Sequence, residues 1–426
     1  MTIHVVQYGE TINSIADKYN VSTDRLMLEN GKINTDKLVV GETIVILKPE
    51  ITYTIQEGDT LSNIADLYEV TVFDLFRNNP YLSTREYIYP GETIVIKYEG
   101  NKLRTITTNG YAYPFINMDV LKMTLPFLTY LTVFGYIVTA EGVINDINDT
   151  EIIEVAKAYG VAPILSIEAL SNSVDEELYI IQSILLSQEI QDYFVDNLIK
   201  ILRTKGYSGL NFNTPYLTPE NRSLYEEFIL RLATRIEAEG YLVFDTFTLR
   251  VFQLLTGTIF IGLEYSKLIQ ELDGITLITY SFGYSEGIPP GTLSLDTFRR
   301  FWEYAVRLIT PEKAFMGIPV NGYVWQLPYI PFKSRGMSVS YDSVLKIAYD
   351  QNVEIQFDEI TNSAYFVYIS ENQEFIVRFW DARSIDNYLN IILELGLNGI
   401  SIWNIMSWFP QIWLIINSMF IIDKVY

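Results

Sequence analysis

The sequence predicts an α/β protein: a (β/α)8 TIM barrel with a small α+β insertion, preceded by two small βααβ modules. Three observations predict it. The chain has 426 residues, more than one ordinary domain needs. A block of residues near the N-terminus occurs twice. Downstream, eight apolar, strand-like runs alternate with helix-like segments, the pattern of a parallel sheet closed on itself.

The repeat comes first along the chain. Gly9-Glu10-Thr11-Ile12 returns as Gly58-Asp59-Thr60-Leu61, an offset of 49 that holds through Ile15-Ala16 and Ile64-Ala65, Tyr19 and Tyr68, and Asn30 and Asn79. The offset becomes 50 at Gly41-Glu42-Thr43-Ile44 and Gly91-Glu92-Thr93-Ile94, so the second copy carries one inserted residue. Thr11 and Thr60 suit the capping position of helices in which Ile12, Ile15, Ala16 and Tyr19, or their counterparts, recur at helical spacing. A second helix runs from about Thr23 or Val72 toward the asparagine. A Gly-Glu-Thr turn then feeds a β-branched strand, Ile44-Val45-Ile46 or Ile94-Val95-Ile96. The copies span residues 1–48 and 49–98.

This pattern resembles the LysM module. The resemblance implies binding of N-acetylglucosamine-containing glycans such as peptidoglycan and chitin. The groove lies between the loop after strand 1 and the loop before strand 2. Carried onto this sequence, it would use Gly9, Thr11, Ile12 and Gly31 in the first copy. In the second it would use Gly58, Asp59, Thr60, Leu61, Asn79 and Pro80. The same glycines, threonines and asparagine also suit turns and caps, so each has a structural reading beside the binding one.

Composition narrows the function classes. Hydrophobic residues make up 49% and charged residues 19%, enough apolar material for a large core. There is no cysteine, which excludes disulfides and Cys-based metal sites. The single histidine, His4, is expected to be solvated or at a strand edge, and no metal or cofactor is expected. A net charge of −22 repels nucleic acid and anionic lipid. A neutral polysaccharide remains compatible, and 31 Tyr, 23 Phe and 6 Trp offer faces for it. The segments Leu125 to Ala140 and Trp403 to Ile422 are apolar but interrupted by polar residues, and read as buried strands and a packed final helix. MTIHVVQYGE lacks a basic and an apolar signal region, so synthesis in a cytosol without classical export is expected.

Residues 99–426 supply the barrel. Strand candidates are Thr107–Ala112, Leu128–Tyr136, Pro163–Ile167, Gly209–Phe212, Leu242–Thr246, Gly274–Thr279, Ala314–Ile318 and Gly399–Trp403. Asn221–Glu239 and Leu295–Ile309 read as amphipathic helices. Residues 338–379 break the alternation. They contain Val353–Phe357 and Ala364–Tyr368, which read as paired strands of an insertion between strands 7 and 8.

Local motifs then fall in one order: Asn109-Gly110-Tyr111-Ala112-Tyr113-Pro114, Gly206-Tyr207-Ser208-Gly209-Leu210-Asn211-Phe212, Thr279-Tyr280, Gly317-Ile318-Pro319 with Tyr323-Val324-Trp325, Trp380-Asp381-Ala382-Arg383-Ser384, and Gly399–Trp403. In this order they resemble family 18 glycoside hydrolases, in particular the LysM-bearing spore enzymes of endospore-forming bacteria that degrade cortex peptidoglycan. The resemblance implies substrate-assisted hydrolysis, in which the sugar's acetamido oxygen attacks the anomeric carbon. A Glu ending strand 4 would protonate the leaving oxygen. An Asp two residues earlier, on the same strand face, would orient the acetamido group.

Here those residues are absent. Pro215 holds the acid position, Asn213 the acetamido-orienting position and Ser208 the position of the first Asp. Two further carboxylate positions read Ser281 and Val324. Tyr111, Asn213, Tyr280, Trp325 and Trp403 remain as sugar-facing candidates, although each aromatic also suits a core position. The reading is a protein without catalytic residues that binds peptidoglycan or another N-acetylglucosamine polymer through its LysM modules. It would sit on the spore, at the coat or cortex, and dock coat proteins or self-associate. Two alternatives stand beside it. One is an active N-acetylglucosaminidase using a displaced carboxylate, Glu168, Asp245 or Glu286. The other is a self-assembling component of a spore layer.

Overall fold

The computed structural model describes residues 1–32, 38–168, 174–214, 219–248, 250–254, 257–261, 266–278, 294–330 and 334–425. Each N-terminal copy folds as a strand pair and two helices, as the repeat predicts. Thr2–Val5 pairs antiparallel with Thr43–Ile46, and Pro49–Thr54 with Thr93–Tyr98. The helices are Ile12–Tyr19 and Thr23–Glu29, then Leu61–Leu67 and Val72–Asn78. Thr11 accepts from the Ser14 N–H and Thr60 from the Asn63 N–H, both at 3.1 Å, so both threonines are caps.

A buried asparagine staples each copy. Asn30 accepts from the Val45 N–H at 2.8 Å and donates to the Leu26 and Val45 carbonyls. Asn79 does the same with Val95 and Leu75. Each carboxamide thereby ties the end of the second helix to the last strand. His4 lies in a strand of a two-stranded sheet, where both strands are edges, but it is buried and not solvated. Its ring nitrogens meet the Tyr19 hydroxyl at 3.1 Å and the Glu10 carboxylate at 2.7 Å.

The barrel has eight parallel strands: β1 Arg104–Ala112, β2 Tyr130–Ile137, β3 Ala162–Glu168, β4 Gly209–Thr214, β5 Leu242–Thr248, β6 Gly274–Ile278, β7 Ala314–Pro319 and β8 Gly399–Trp403. Each pairs with the next, and β8 pairs with β1 to close the ring. All eight strands lie on the runs that the sequence marks. Alternate side chains enter the interior. At its lower end Tyr130, Phe244 and Phe315 pack ring against ring, with centroids 5.0 and 6.2 Å apart. Gly274 makes room for them, since a Cβ there would lie 2.7 Å from the Phe244 ring.

The layer above is polar and uncharged. Thr132 donates to Asn109 Oδ1 at 2.8 Å, Thr246 donates to Asn211 Oδ1 at 3.0 Å, and the Thr276 and Ser401 hydroxyls meet at 2.8 Å. Every member is buried and finds a partner, which removes the penalty of placing polar groups inside.

Between β7 and β8 lies a five-stranded antiparallel sheet. It starts before the expected residue 338. Gly322–Leu327 pairs with both Met337–Val339 and Gln373–Phe379, and Ser363–Ser370 and Gln356–Asp358 complete the sheet. The motif Tyr323-Val324-Trp325 is therefore a sheet strand and not a free loop after β7. The last helix, Pro410–Met419, has nine of its ten residues buried. It is apolar on all sides because the barrel covers one face and the N-terminal modules the other. Among the described residues no helix is long and apolar enough to cross a membrane.

That helix seats the modules. Gln411, fully buried, donates to the Thr43 carbonyl at 2.5 Å, and its Oε1 accepts from the hydroxyls of Thr43 at 3.0 Å and Tyr341 at 3.3 Å. The Ile355 N–H of the insertion donates to the Val40 carbonyl at 2.8 Å. Gly41 and Gly91 occupy matching turns at φ +86° and +87°. A Cβ on Gly41 would fall 1.8 Å from the Ile355 carbonyl oxygen, whereas one on Gly91 meets nothing within 4 Å. Alanine at either site costs about 1 kcal/mol of backbone strain. Gly41→Ala is therefore expected to lose clearly more stability than Gly91→Ala, by about 2 kcal/mol or more in denaturant unfolding of the full chain. Equal losses would show that the first module does not rest on the insertion.

Candidate functional site

The upper ends of the barrel strands, where such barrels carry their chemistry, form the mouth. Two-residue alternation continues Asn211 to Asn213 on β4, and Ser166 to Glu168 on β3. The register pairs Ile167 with Phe212, so Glu168 and Asn213 stand at one level. Their side chains share a hydrogen bond. Burial pushes the Glu168 carboxyl up to about 7, the Asn213 bond opposes this, and nearby Glu177 adds to it. The mouth thus holds one carboxyl that changes charge near neutrality, beside a carboxamide.

An aromatic strip runs along the strand ends of β1, β2 and β8. Phe134 packs edge-on against Trp403 at 4.6 Å, and Tyr111 lies 5.3 and 5.5 Å from these two rings. Tyr113 continues the series at 5.8 Å from Phe134 and stacks on Phe115 at 5.3 Å, with planes 15° apart. The strip leads from Phe115, which is 77% exposed, inward to Trp403, which is partly exposed. Tyr113, Phe115 and Phe134 are absent from the candidates read in the sequence. The spacing of two in Tyr111, Tyr113 and Phe115, running out of β1, was the signal that could have found two of them.

Several candidates lie elsewhere. Tyr111 is 1% exposed, and its hydroxyl is bonded to Thr246 at 2.9 Å, so it has no free face for a sugar. Trp325 is completely buried in the inserted sheet, packed against Tyr329 and closely covered by Gly336. Val324 is buried in the same strand. Ser208 precedes β4 at the lower end of the barrel, where its N–H donates to the Pro163 carbonyl, so it does not face the mouth. Asp245 lies between Phe244 and Thr246, whose side chains enter the barrel. It is buried on the opposite face, toward the helices. Of the displaced carboxylates among the described residues, Glu168 is the one at the mouth. Pro215, Tyr280, Ser281 and Glu286 lie outside the described residues.

In the modules, Gly9 and Gly58 take left-handed turns with open space around them, and Thr11 and Thr60 are exposed caps. Asp59 accepts from the Gln56 N–H and the Tyr53 hydroxyl, and so holds its turn. Leu61 is half-buried in the same apolar cluster as Leu82, which brings the two loops of the second module together. Ile12 is buried core, and Asn79 is 0% exposed with its carboxamide committed, so neither offers a side chain to a glycan. Gly31 turns against Pro410 of the barrel's last helix. Pro80 starts a short 3-10 turn, Pro80–Thr84, facing the same helix. The rest of the first module's second loop, residues 33–37, is outside the described residues.

The Glu168 carboxyl gives a signed test. In the unfolded chain it ionises near 4.5, in the folded chain near 7. Between those values the unfolded state has already released a proton that the folded state still holds, so stability falls as pH rises and then levels off. Glu168→Gln is expected to remove this slope, so that the variant gains on the parent by about 3 kcal/mol between pH 4.5 and 7.5. Unfolding curves of both proteins across that range decide it, and parallel curves would show that Glu168 ionises normally.

Comparison with known proteins agrees with this architecture. The model of glycosyl hydrolases family 18 matches residues 167–407, and that of the LysM domain matches 4–47 and 53–97. The chain is 34% identical over 433 residues to the cortical fragment-lytic enzyme of Bacillus subtilis (strain 168), covering 100% of this chain and 99% of that one. It is 31% identical over 430 residues to the cortical fragment-lytic enzyme of Bacillus anthracis, covering 99% of each. The crystal structure of the Bacillus cereus spore cortex-lytic enzyme SleL superposes with a TM-score of 0.79 at 28% identity, over 99% of this chain and 98% of that one. A chitinase from Chromobacterium violaceum ATCC 12472 shares the fold, with a TM-score of 0.62 at 18% identity over 74% of this chain and 98% of its own. With a closed eight-stranded barrel behind two LysM domains, matched end to end by the cortical fragment-lytic enzymes, the chain belongs to the glycosyl hydrolases of family 18.

Proposed function

We propose that this protein holds peptidoglycan, or a related N-acetylglucosamine polymer, without cleaving it, and that it does so on the spore. The observation that carries the reading is the top of β4. Asn213 stands there in place of an acid, and Pro215 follows in the sequence where the proton donor would be. A carboxamide can hydrogen-bond an acetamido group but cannot balance the positive charge of an oxazolinium ion. Proline has no proton to give. Loss of a general acid typically costs about 10²- to 10⁴-fold in rate. Loss of a charge aimed at the developing cation costs several kcal/mol more, on the order of one oxyanion-hole donor. The strip from Phe115 to Trp403 retains apolar faces on which a sugar can stack, and the LysM domains supply attachment.

One observation favours a second reading. Glu168 is a buried carboxyl titrating near 7 beside Asn213, and an acid so tuned can protonate a leaving group at neutral pH. Under that reading Asn213 would orient the acetamido group and Glu168 would be the acid.

Incubation of the purified protein with spore cortex peptidoglycan separates the two. Retention on the insoluble fraction is expected. No soluble fragment is expected above a buffer blank by mass spectrometry, with an active family enzyme as the positive control. Fragments ending at N-acetylglucosamine would overturn the first reading, and their disappearance in Glu168→Gln would establish the second.

A further inference from the structure

We propose a further saccharide site, in the cleft where the two LysM domains and the last barrel helix meet. It lies away from the Gly9–Ile12 and Gly58–Leu61 loops and from the barrel mouth, and meets the second LysM groove at Asn79 and Pro80. The proposal rests on the reading of this chain as a glycan-binding protein and adds a location and a ligand class to it.

The cleft between the domains has a volume of about 550 Å³, within the usual range of small-molecule sites. A second cavity of about 140 Å³ opens against the barrel. Arg25, Leu28, Glu29 and Tyr81 line both, so the two lie on either side of these four side chains. Arg85 and Glu92 line the larger cavity, and Trp408 the smaller.

The walls are held before any ligand arrives. Arg25 of the first domain donates to Glu29 at 2.6 Å. It reaches across to the second domain, to Asn79 Oδ1 at 3.1 Å, the Asn78 carbonyl at 2.7 Å and the Tyr98 hydroxyl at 2.8 Å. Arg85 donates to both oxygens of Glu92, at 2.9 and 3.1 Å, and lies 4.7 Å over the Tyr81 ring. A preformed site of this kind spares the ordering cost of binding.

The chemistry of the lining selects the ligand. In a chain of net charge −22 this cleft is nearly balanced, two guanidiniums facing Glu29, Glu92 and the exposed Asp24. The field largely cancels, so neither a free anion nor a free cation is favoured. Arg85, Glu92 and the exposed Asp24 nevertheless present donors and acceptors together, which suits hydroxyl and amide groups. Trp408 is partly exposed, stacked over Trp413 at 6.4 Å with planes 19° apart, and adds an aromatic face to the smaller cavity. An uncharged, hydroxyl-rich chain with apolar ring faces meets all of this. That describes a short stretch of oligosaccharide.

The test uses the full chain and the N-acetylglucosamine tetramer. Titration calorimetry measures affinity, and hydroxyl-radical footprinting with mass spectrometry locates the ligand. Saturating tetramer is expected to protect Tyr81 and Trp408. Thr52→Trp places bulk at an exposed position on the cleft wall and is expected to weaken binding at least tenfold. Trp408→Leu is expected to do the same. Leu61→Arg, in the loop groove of the second LysM domain, should leave the Tyr81 and Trp408 footprint in place. An unfolding midpoint equal to that of the parent certifies each variant. Tetramer binding that spares Tyr81 and Trp408 and is indifferent to Thr52→Trp would overturn the cleft while leaving the glycan reading intact. So would retention on peptidoglycan without any tetramer binding. Binding of neither would overturn both.

Discussion

The mouth depends on one constraint, the two-residue period of strands in a closed parallel barrel. Closure leaves no strand free to slide, and a slip of one residue would exchange inward and outward faces. The pairing of Ile167 with Phe212 sets Glu168 level with Asn213. The pairing of Asn213 with Thr246 sets the next strand, on which Thr246 turns inward to the Tyr111 hydroxyl. The large rings below, Tyr130, Phe244 and Phe315, fill the lower interior and so exclude a continuous pore. Whatever the mouth binds meets side chains whose heights are fixed by backbone pairing and not by loops.

The N-terminal domains share that fixed frame. Gln411 is a buried carboxamide that bonds to Thr43 of the first LysM domain and to Tyr341 beside the inserted sheet. Arg77 of the second domain donates to the Pro126 carbonyl, and the Tyr159 hydroxyl of the barrel donates to the Ser83 carbonyl. Phe73 and Phe76 close around the Tyr159 ring at 6.2 and 5.9 Å. These contacts make the linkers short in effect as well as in sequence. Sites held at set distances on one body engage a polymer with high effective concentration once the first is occupied, provided the spacing matches. Under the proposed reading, this seating trades reach for avidity on a regular glycan.

Much of this was legible in the sequence. The repeat revealed both N-terminal domains, because each must present the same turn and cap residues to fold at all. Thr11 and Thr60 do cap, and the eight barrel strands announced themselves as apolar runs between amphipathic helices. What stayed hidden was long-range. Tyr323-Val324-Trp325 looks like a loop motif until Met337–Val339 and Gln373–Phe379 pair with it and bury it. Tyr111 and Trp325 share the composition of sugar platforms and differ from them only in exposure, which no local pattern records. Asn79 looks like a ligand-binding residue because it recurs, yet it recurs as the staple of Leu75 and Val95. The cleft between the domains draws on residues 21 to 95 and the cavity beside it on residues up to 414, and no local stretch of sequence reports such a meeting.

Under the proposed reading, the surroundings of Glu168 give an uncharged residue at 213 a physical logic. Two carboxyls side by side at the mouth would repel and would each be short of water. An asparagine at 213 keeps the hydrogen bond to Glu168 and avoids that conflict, while Glu168 still carries its effect in a raised pKa. Elsewhere the fold keeps a buried carboxylate by saturating it. Asp149 accepts from the Tyr136 hydroxyl at 2.5 Å, the Tyr207 hydroxyl at 2.6 Å and the Lys205 ammonium at 2.8 Å. Active sites tolerate poorly satisfied charge because catalysis demands it, and relief of that demand lets neutral side chains recover stability. Under the proposed reading, Asn213 beside Glu168 is the state such relief leads to, above a layer that is uncharged in its own right. Asn109, Asn211, Thr246, Thr276 and Ser401 bond to one another there instead of waiting for a substrate.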